Sequence, residues 1–565
     1  MVDRVDPRLI LGSSSLACYL IYKHSEPNNI PAHAALLLGV PALLVHQLGT
    51  HWSILQQGGA FVAYWALILA FTGLYRLSPI HPLARYPGPT LGKLSKIYLS
   101  YLSARGDIYR VIKGWHDKYG DVVRIGPNEL SFRHVDALQP IMGTKYTVKG
   151  PYYDTRTTPE QITQMDGIRD YSVHGQRRKP WLRAMSSAGL KGFEPIVKMK
   201  ALELVEELSK KVGEIIDMSE WMNLFGVAQS SDNVTGSFDF MGHLAFGREF
   251  GLLKSGNDHD DMIRTVEDGV YGAGVISHIP WILPFLVHFP PAMKGLRAMQ
   301  QMAATFARER TQKGSTTKDI YYFLTEDEGA AQSGATHDEV IADGMLALIA
   351  GSDTTSIALS HVCYFLLRHP ACAARLRAEV DRAFPPGEDV LDFARHADMP
   401  YLNACINEAL RLLPPGLGGL QRMVRRGTGG AMIGPHFVPE DTKLSVHLFS
   451  LMRDAREFAP LPDAFWPERW LAQDTYVLPT GDAVSKEHVT TNRAAFIPFS
   501  VGPQNCAGKA LALVELRAVT CALVSKFELH KPKDYDLDQW EGDLLDLYIS
   551  IRGKLPVILQ ARQGR

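Results

Sequence analysis

The chain has 565 residues, 46% of them hydrophobic and 21% charged, with a formal net charge of -1. That composition is globular and allows one very large core or several domains. With no basic run longer than the one from Arg177 to Lys179, it excludes an electrostatic nucleic-acid binder; six scattered cysteines with no CxxC pair exclude a disulfide framework or a zinc ribbon.

Three apolar stretches open the chain, at 9–22, 32–49 and 58–75. The last two carry no Asp, Glu, Lys or Arg over roughly the length that spans a bilayer. The first is short for a span and has the length of a signal-peptide core, but no clear small-x-small site ends it. Residues 1–80 therefore read as a membrane anchor of two to three hydrophobic segments. Arg76, Arg85, Lys93 and Lys96 follow and place the rest of the chain on the cytoplasmic side. Residues 81–94, with "YPGPTLG" at 86–92, read as a stiff proline/glycine hinge.

From residue 95 to 565 the pattern is mainly helical with small β-sheets, an α+β body without internal repeats. The segment 106–120 has helical spacing and ends at Gly120, a C-cap. The segment 121–132 reads as a hairpin turning at Gly-Pro-Asn. Further on, Thr336 and Glu339 form a capping box, and His369-Pro370 ends a helix of about thirty residues, some 45 Å at about 1.5 Å each. This helix is apolar nearly all round, so it is expected to be buried. Its middle, "AGSDTT" at 350–355, places Asp353 and Thr354 in that setting. Ser and Thr bonding back to the preceding turn would explain a bend. An acid beside an alcohol suits proton delivery to a bound ligand.

Glu408 and Arg411 share a helix face at i, i+3, and Arg469 follows in "FWPERW". One carboxylate held by two guanidiniums makes a buried network. Near the end, "FSVGPQNCAGK" (499–509) sets Cys506 between Gly502 and Gly508, just before an apolar run that reads as a helix from Ala507.

These motifs, in this order, resemble the cytochrome P450 haem-thiolate monooxygenases from about Tyr86 to the end of the chain. The anchor and hinge are similar to fungal microsomal members, and more loosely to the basidiomycete high-nitrogen-upregulated group. The resemblance implies the cytochrome P450 fold behind N-terminal transmembrane helices, with haem b as cofactor. It makes Cys506 the axial thiolate and metal ligand, with Phe499, Gly502 and Gly508 shaping the loop around it. A thiolate there would be favoured by the N–H groups of the following helix. Asp353 and Thr354 would serve dioxygen activation, and Glu408, Arg411 and Arg469 the structural network. Electrons would come from NADPH through NADPH-cytochrome P450 reductase, with cytochrome b5 as an optional donor. The substrate would be a lipophilic small molecule, and the location the endoplasmic reticulum membrane with the catalytic domain in the cytosol, in contact with membrane lipids. Fungal secondary metabolism is the expected setting.

One position departs from the family. Gln504 stands where its haem loop has an arginine, so the propionates need other partners. Arg178, Arg422 and His174 are the candidates; for Arg177 a cytosol-facing patch that docks the reductase is equally open. The proline-broken segment 274–291, with Trp281, Phe285 and Phe289, lies where the family has a membrane-dipping loop, and 150–170 where a loop covers substrate. Alternatives are a haem-thiolate isomerase, dehydratase or peroxygenase, and a non-enzymatic membrane haem sensor or carrier.

Overall fold

The computed structural model describes residues 6–563 apart from 26, 28, 49–50, 157–161, 225–238, 247–261 and 315–317. The chain opens with the helices Pro7–Ser25, Ile30–Ala34 continuing to Leu48, and Ile54–Leu77. Ile30–Leu48 and Ile54–Leu77 are each long and apolar enough to cross a membrane. Pro7–Ser25 packs against Ile54–Leu77, but Ser13, Ser14 and Ser15 dilute its apolar character. These apolar helices fit an N-terminal anchor. The hinge is tied to the body: the Arg124 N–H donates to the Pro87 carbonyl at 2.7 Å.

The helix His337–Arg368 threads the body and is bonded at its start by the Thr336–Glu339 capping box. It contacts Met218–Leu224, Asp239–Phe246, Lys294–Lys313, Pro400–Leu412 and Lys509–Lys526. Its last four turns are buried all round, so its apolar length is met by other helices. Ile108–Tyr119 ends at Gly120, whose φ is 98°.

Beside this helical layer lies a five-stranded sheet, in the order Val122–Gly126, Glu129–Phe132, Lys443–Val446, Arg422–Val424, Thr147–Lys149. The first two strands are an antiparallel hairpin, and Glu129–Phe132 pairs with Lys443–Val446 in parallel. The register of the last pair sets Lys149 directly across from Arg422. A short hairpin, Leu545–Asp546 with Ser550–Ile551, closes the far wall of the cavity described below.

The proline-rich segment forms short turns at Pro280–Ile282, Leu283–Leu286 and Pro290–Met293. Trp281 and Phe289 are 56% and 60% exposed. Phe285 is half-buried, with its ring 5.2 Å from that of His33 in the anchor.

Candidate active site

A cavity of about 420 Å³ opens between the long helix, the sheet and the loop before Lys509–Lys526. Cys506 and Thr354 both line it, as do Phe499, Gly508, His174, Arg178 and Arg422. Asp353 does not. Successive helical residues point about 100° apart, so the Thr354 hydroxyl and the Asp353 carboxyl leave the helix on different sides.

The Cys506 loop is closed by its own backbone. The Cys506 N–H donates to the Phe499 carbonyl at 3.0 Å, and Asn505 N–H to Gly502 at 3.1 Å. Gly502 has φ 79°, and a Cβ on it would collide with the Met142 carbonyl. Its glycine is therefore required by the neighbouring backbone rather than by the sulfur. Gly508 is the glycine that stands against the sulfur, which an added Cβ would meet at 4.0 Å. Helix Lys509–Lys526 follows, with Gly508 as its N-cap. Burial pushes the Cys506 thiol up; the N–H groups of Gly508 and Lys509 and the Arg178 charge pull the other way without cancelling it. The N–H groups at the helix terminus favour the thiolate without outweighing the burial of the sulfur. A metal bound to this sulfur would supply the rest, because coordination deprotonates a thiol.

Arg178 spends both terminal nitrogens on Asn505, on its carbonyl and on Oδ1, each at 2.7 Å. It grips the cysteine loop while lining the cavity. Arg177 is 4% exposed and binds Asp343 through Nε at 2.9 Å and Nη2 at 2.6 Å, with Nη1 on Glu339 at 2.9 Å. That rules out its reading as a surface patch: it staples the helix Tyr171–Arg177 to the long helix.

Arg422 is fully buried; Nη1 donates to Tyr153 Oη at 3.3 Å and to the Gln421 carbonyl at 3.2 Å, while Nε and Nη2 have no partner among the described residues. Lys149, across the strand pair, is also buried, and its ammonium reaches only the Met165 carbonyl, at 3.4 Å. Burial first, then Arg422, Arg156 and Arg178, bring Lys149 down to about 7 despite Asp166. His174 is pushed down to about 3 by burial and then by Lys149, Arg178 and Arg422, so it is neutral. Gln504 is 8% exposed, and among the described residues both its amide atoms are unpaired and the Trp181 Nε1–H lacks an acceptor.

Like charges directly opposite in a sheet destabilise it, and buried donors without partners cost about 1–3 kcal/mol each. Four buried cations, Lys149, Arg156, Arg178 and Arg422, line this cavity; of the lining acids, Asp166 pairs with Arg156 and Glu129 with Lys96. The arrangement fits a ligand that brings carboxylates of its own, as haem does, and it fits without an arginine at 504. Lys149 and Trp181 were missed from sequence: a strand lysine and a lone tryptophan carry no pattern until the register places them.

On the long helix, Thr354 Oγ1 donates to the Ala350 carbonyl at 2.7 Å and Ser352 Oγ to Leu348 at 2.8 Å. The hydroxyls do bond back, and the helix stays continuous through them. Gly351 is explained by packing: a Cβ there would collide with the Met241 side chain. Asp353 is raised to about 7, by burial and Glu267, against the pull of Arg552. Arg552 in turn donates to Ser356 Oγ at 3.1 Å and to Asn223. Glu515, on the helix after the cysteine loop, lines the cavity and bonds the Thr355 hydroxyl; burial holds it well above the carboxylate range.

Away from the cavity, fully buried Glu408 receives Arg411 Nε and Nη2 at 2.8 Å each, Arg469 Nε at 3.0 Å, Trp470 Nε1 at 2.9 Å and the Trp466 N–H at 3.1 Å. Burial pushes its carboxyl up, and Arg411 and Arg469 with Trp470 outweigh that and bring it below the usual range. The guanidiniums also donate to the carbonyls of Met452, Pro462, Pro460 and Leu461, so the network fixes the segment 452–464.

The family model described as Cytochrome P450 matches residues 85–548. The cytochrome P450 monooxygenase phqL of Penicillium fellutanum is 30% identical over 559 residues, 96% of this chain and 88% of that protein. The cytochrome P450 monooxygenase FCK2 of Fusarium pseudograminearum is 32% identical over 482 residues, 85% of this chain and 82% of that protein. Tryprostatin B 6-hydroxylase of Aspergillus fumigatus is 28% identical over 548 residues, 94% of this chain and 91% of that protein. The chain belongs to the cytochrome P450 family and is a haem-dependent monooxygenase.

Proposed function

We propose that this monooxygenase hydroxylates a lipophilic small molecule of fungal secondary metabolism, from an endoplasmic reticulum anchor formed by residues 1–80, through the hinge at 81–94, with the body from 95 onward in the cytosol. NADPH-cytochrome P450 reductase is its electron donor. The observation that carries this reading is one cavity lined by the Cys506 thiol, the Thr354 hydroxyl and unpaired buried donors. A relative whose name makes it a hydroxylase of one small molecule supports the reaction type. Exposed Trp281 and Phe289, beside the Phe285–His33 contact with the anchor, support a body resting on the bilayer.

When bound, haem supplies the chemistry of dioxygen reduction and oxygen transfer, with thiolate ligation favouring O–O cleavage. The chain's own groups do the rest. Cys506 is the ligand, held by the Phe499 carbonyl and the Arg178–Asn505 clamp. Arg422, Lys149, Trp181 and Gln504 would hold the propionates, with neutral His174 as a further donor. Thr354 Oγ1 donates into its helix, so its lone pairs remain to accept a proton-bearing ligand or water from the cavity. Asp353, poised near neutrality beside Arg552, takes up protons on the far side of the helix and passes them toward Thr354.

The chain is coexpressed with a fungal reductase and supplied with NADPH and lipophilic extracts. Oxygenated product that requires both NADPH and the reductase is expected. Full haem loading with no reductase-dependent NADPH oxidation on any extract would overturn the proposal in favour of a sensor.

A further inference from the structure

Resting on that monooxygenase reading, we infer that Asp546 selects substrates carrying a hydrogen-bond donor, an N–H being the case tested, on an otherwise apolar skeleton. Asp546 sits on the hairpin Leu545–Asp546 with Ser550–Ile551 and lines the cavity, yet it is only 3% exposed. Among the described residues it pairs with no cation. Its one partner is the Gly418 N–H. Gly418 makes that approach possible, since a Cβ there would stand 2.9 Å from Asp546 Oδ2.

Two nearby hydroxyls are committed elsewhere. Tyr152 Oη donates to the Leu547 carbonyl at 3.2 Å and Tyr109 Oη to Glu541 at 3.5 Å. Ser550, directly across the hairpin, has a buried hydroxyl with no partner among the described residues. The surrounding wall is apolar, formed by Ile108, Ile112, Leu547 and Ile549.

A carboxyl removed from water with one hydrogen bond has acceptor capacity left over, and that shortfall is costly. Glu408 takes five hydrogen bonds and Asp343 three. Asp546, like Glu515 with its single Thr355 partner, lines the cavity with acceptor capacity left over. An aromatic or aliphatic molecule with an N–H meets the apolar wall and the acceptor together. An analogue without the N–H leaves the carboxyl unpaired, which is how a polar group in an apolar pocket discriminates.

The test uses the haem-loaded full chain in lipid nanodiscs and three probes of one shape: carbazole, which carries an N–H, and fluorene and dibenzofuran, which do not. Binding is read from the shift of the Soret band. The expected result is tighter binding of carbazole by about tenfold or more, lost in Asp546→Leu and largely kept in Asp546→Asn, which retains an acceptor. Equal affinities in the unmodified chain, no response to carbazole, or a preference that survives Asp546→Leu would overturn the inference. If Asp546→Leu fails to load haem, the three-probe comparison on the unmodified chain decides alone. A chain without a thiolate-type carbon-monoxide spectrum fails the monooxygenase reading instead, so the two failures are distinct.

Discussion

Replacing Glu408 with glutamine keeps the shape of the side chain and removes its charge. The carboxylate accepts five hydrogen bonds, three of them from guanidinium nitrogens, at a site without solvent. Glutamine offers one acceptor oxygen where there were two, and its NH2 group faces donors. Arg411 and Arg469 would then be two buried cations without a counter-charge. Breaking a buried pair in this way costs about 3–5 kcal/mol. A domain is stable by about 5–15 kcal/mol, so Glu408→Gln removes about a fifth or more of that reserve. The assay is urea unfolding of the haem-loaded chain in detergent, followed by loss of the thiolate-type spectrum, with Glu408→Asp alongside as the variant that keeps the charge. Glu408→Gln should lower the unfolding free energy by about 3 kcal/mol or more, and Glu408→Asp by clearly less. A loss under about 1 kcal/mol for Glu408→Gln would refute the reasoning, since that is the worth of an exposed pair.

His116 is fully buried, bonded to Ser131 Oγ at 2.8 Å and the Gly120 carbonyl at 3.0 Å, and burial holds it down at about 4. An ordinary histidine titrates near 6.5, so between these values the unfolded chain binds the extra proton and stability falls as pH falls. Acidifying from pH 7 to 5 should cost about 2 kcal/mol through this residue, and His116→Gln should flatten the urea-midpoint profile over that window; an unchanged slope would contradict it. Arg422→Leu should release haem to apomyoglobin at least about tenfold faster than the unmodified chain, because a desolvated charge-assisted bond is worth about 1.5–3 kcal/mol. Gln504→Arg should change that rate little if Lys149 and Arg422 already carry the propionates. Thr354→Ala should keep haem content and spectrum while diverting NADPH electrons to peroxide; unchanged coupling to product would show that the hydroxyl is dispensable.

The family was legible because each of its motifs is local. A capping box, a helix face and a loop before a helix can all be read from residues within one or two turns of each other. What stayed hidden depends on direction and register. Arg177 and Arg178 are adjacent, yet one turns to Asp343 on the long helix and the other to Asn505 beside the cysteine. No pattern in "HGQRRKPW" separates them. Asp353 and Thr354 are likewise neighbours that face different surroundings, one toward Arg552 and one into the cavity. Lys149 lies some 270 residues before its cross-strand neighbour Arg422, and only a sheet that joins distant segments shows that they share a site. The glycines were read in kind but not in detail, since Gly502 answers to the Met142 backbone and Gly351 to Met241.

The central claim is that Cys506 is the iron ligand. It is tested most directly by the carbon-monoxide difference spectrum of the reduced, haem-loaded chain beside that of Cys506→Ala. The unmodified chain should show the thiolate-type band and Cys506→Ala none of it; a substituted chain that keeps the band would contradict the assignment.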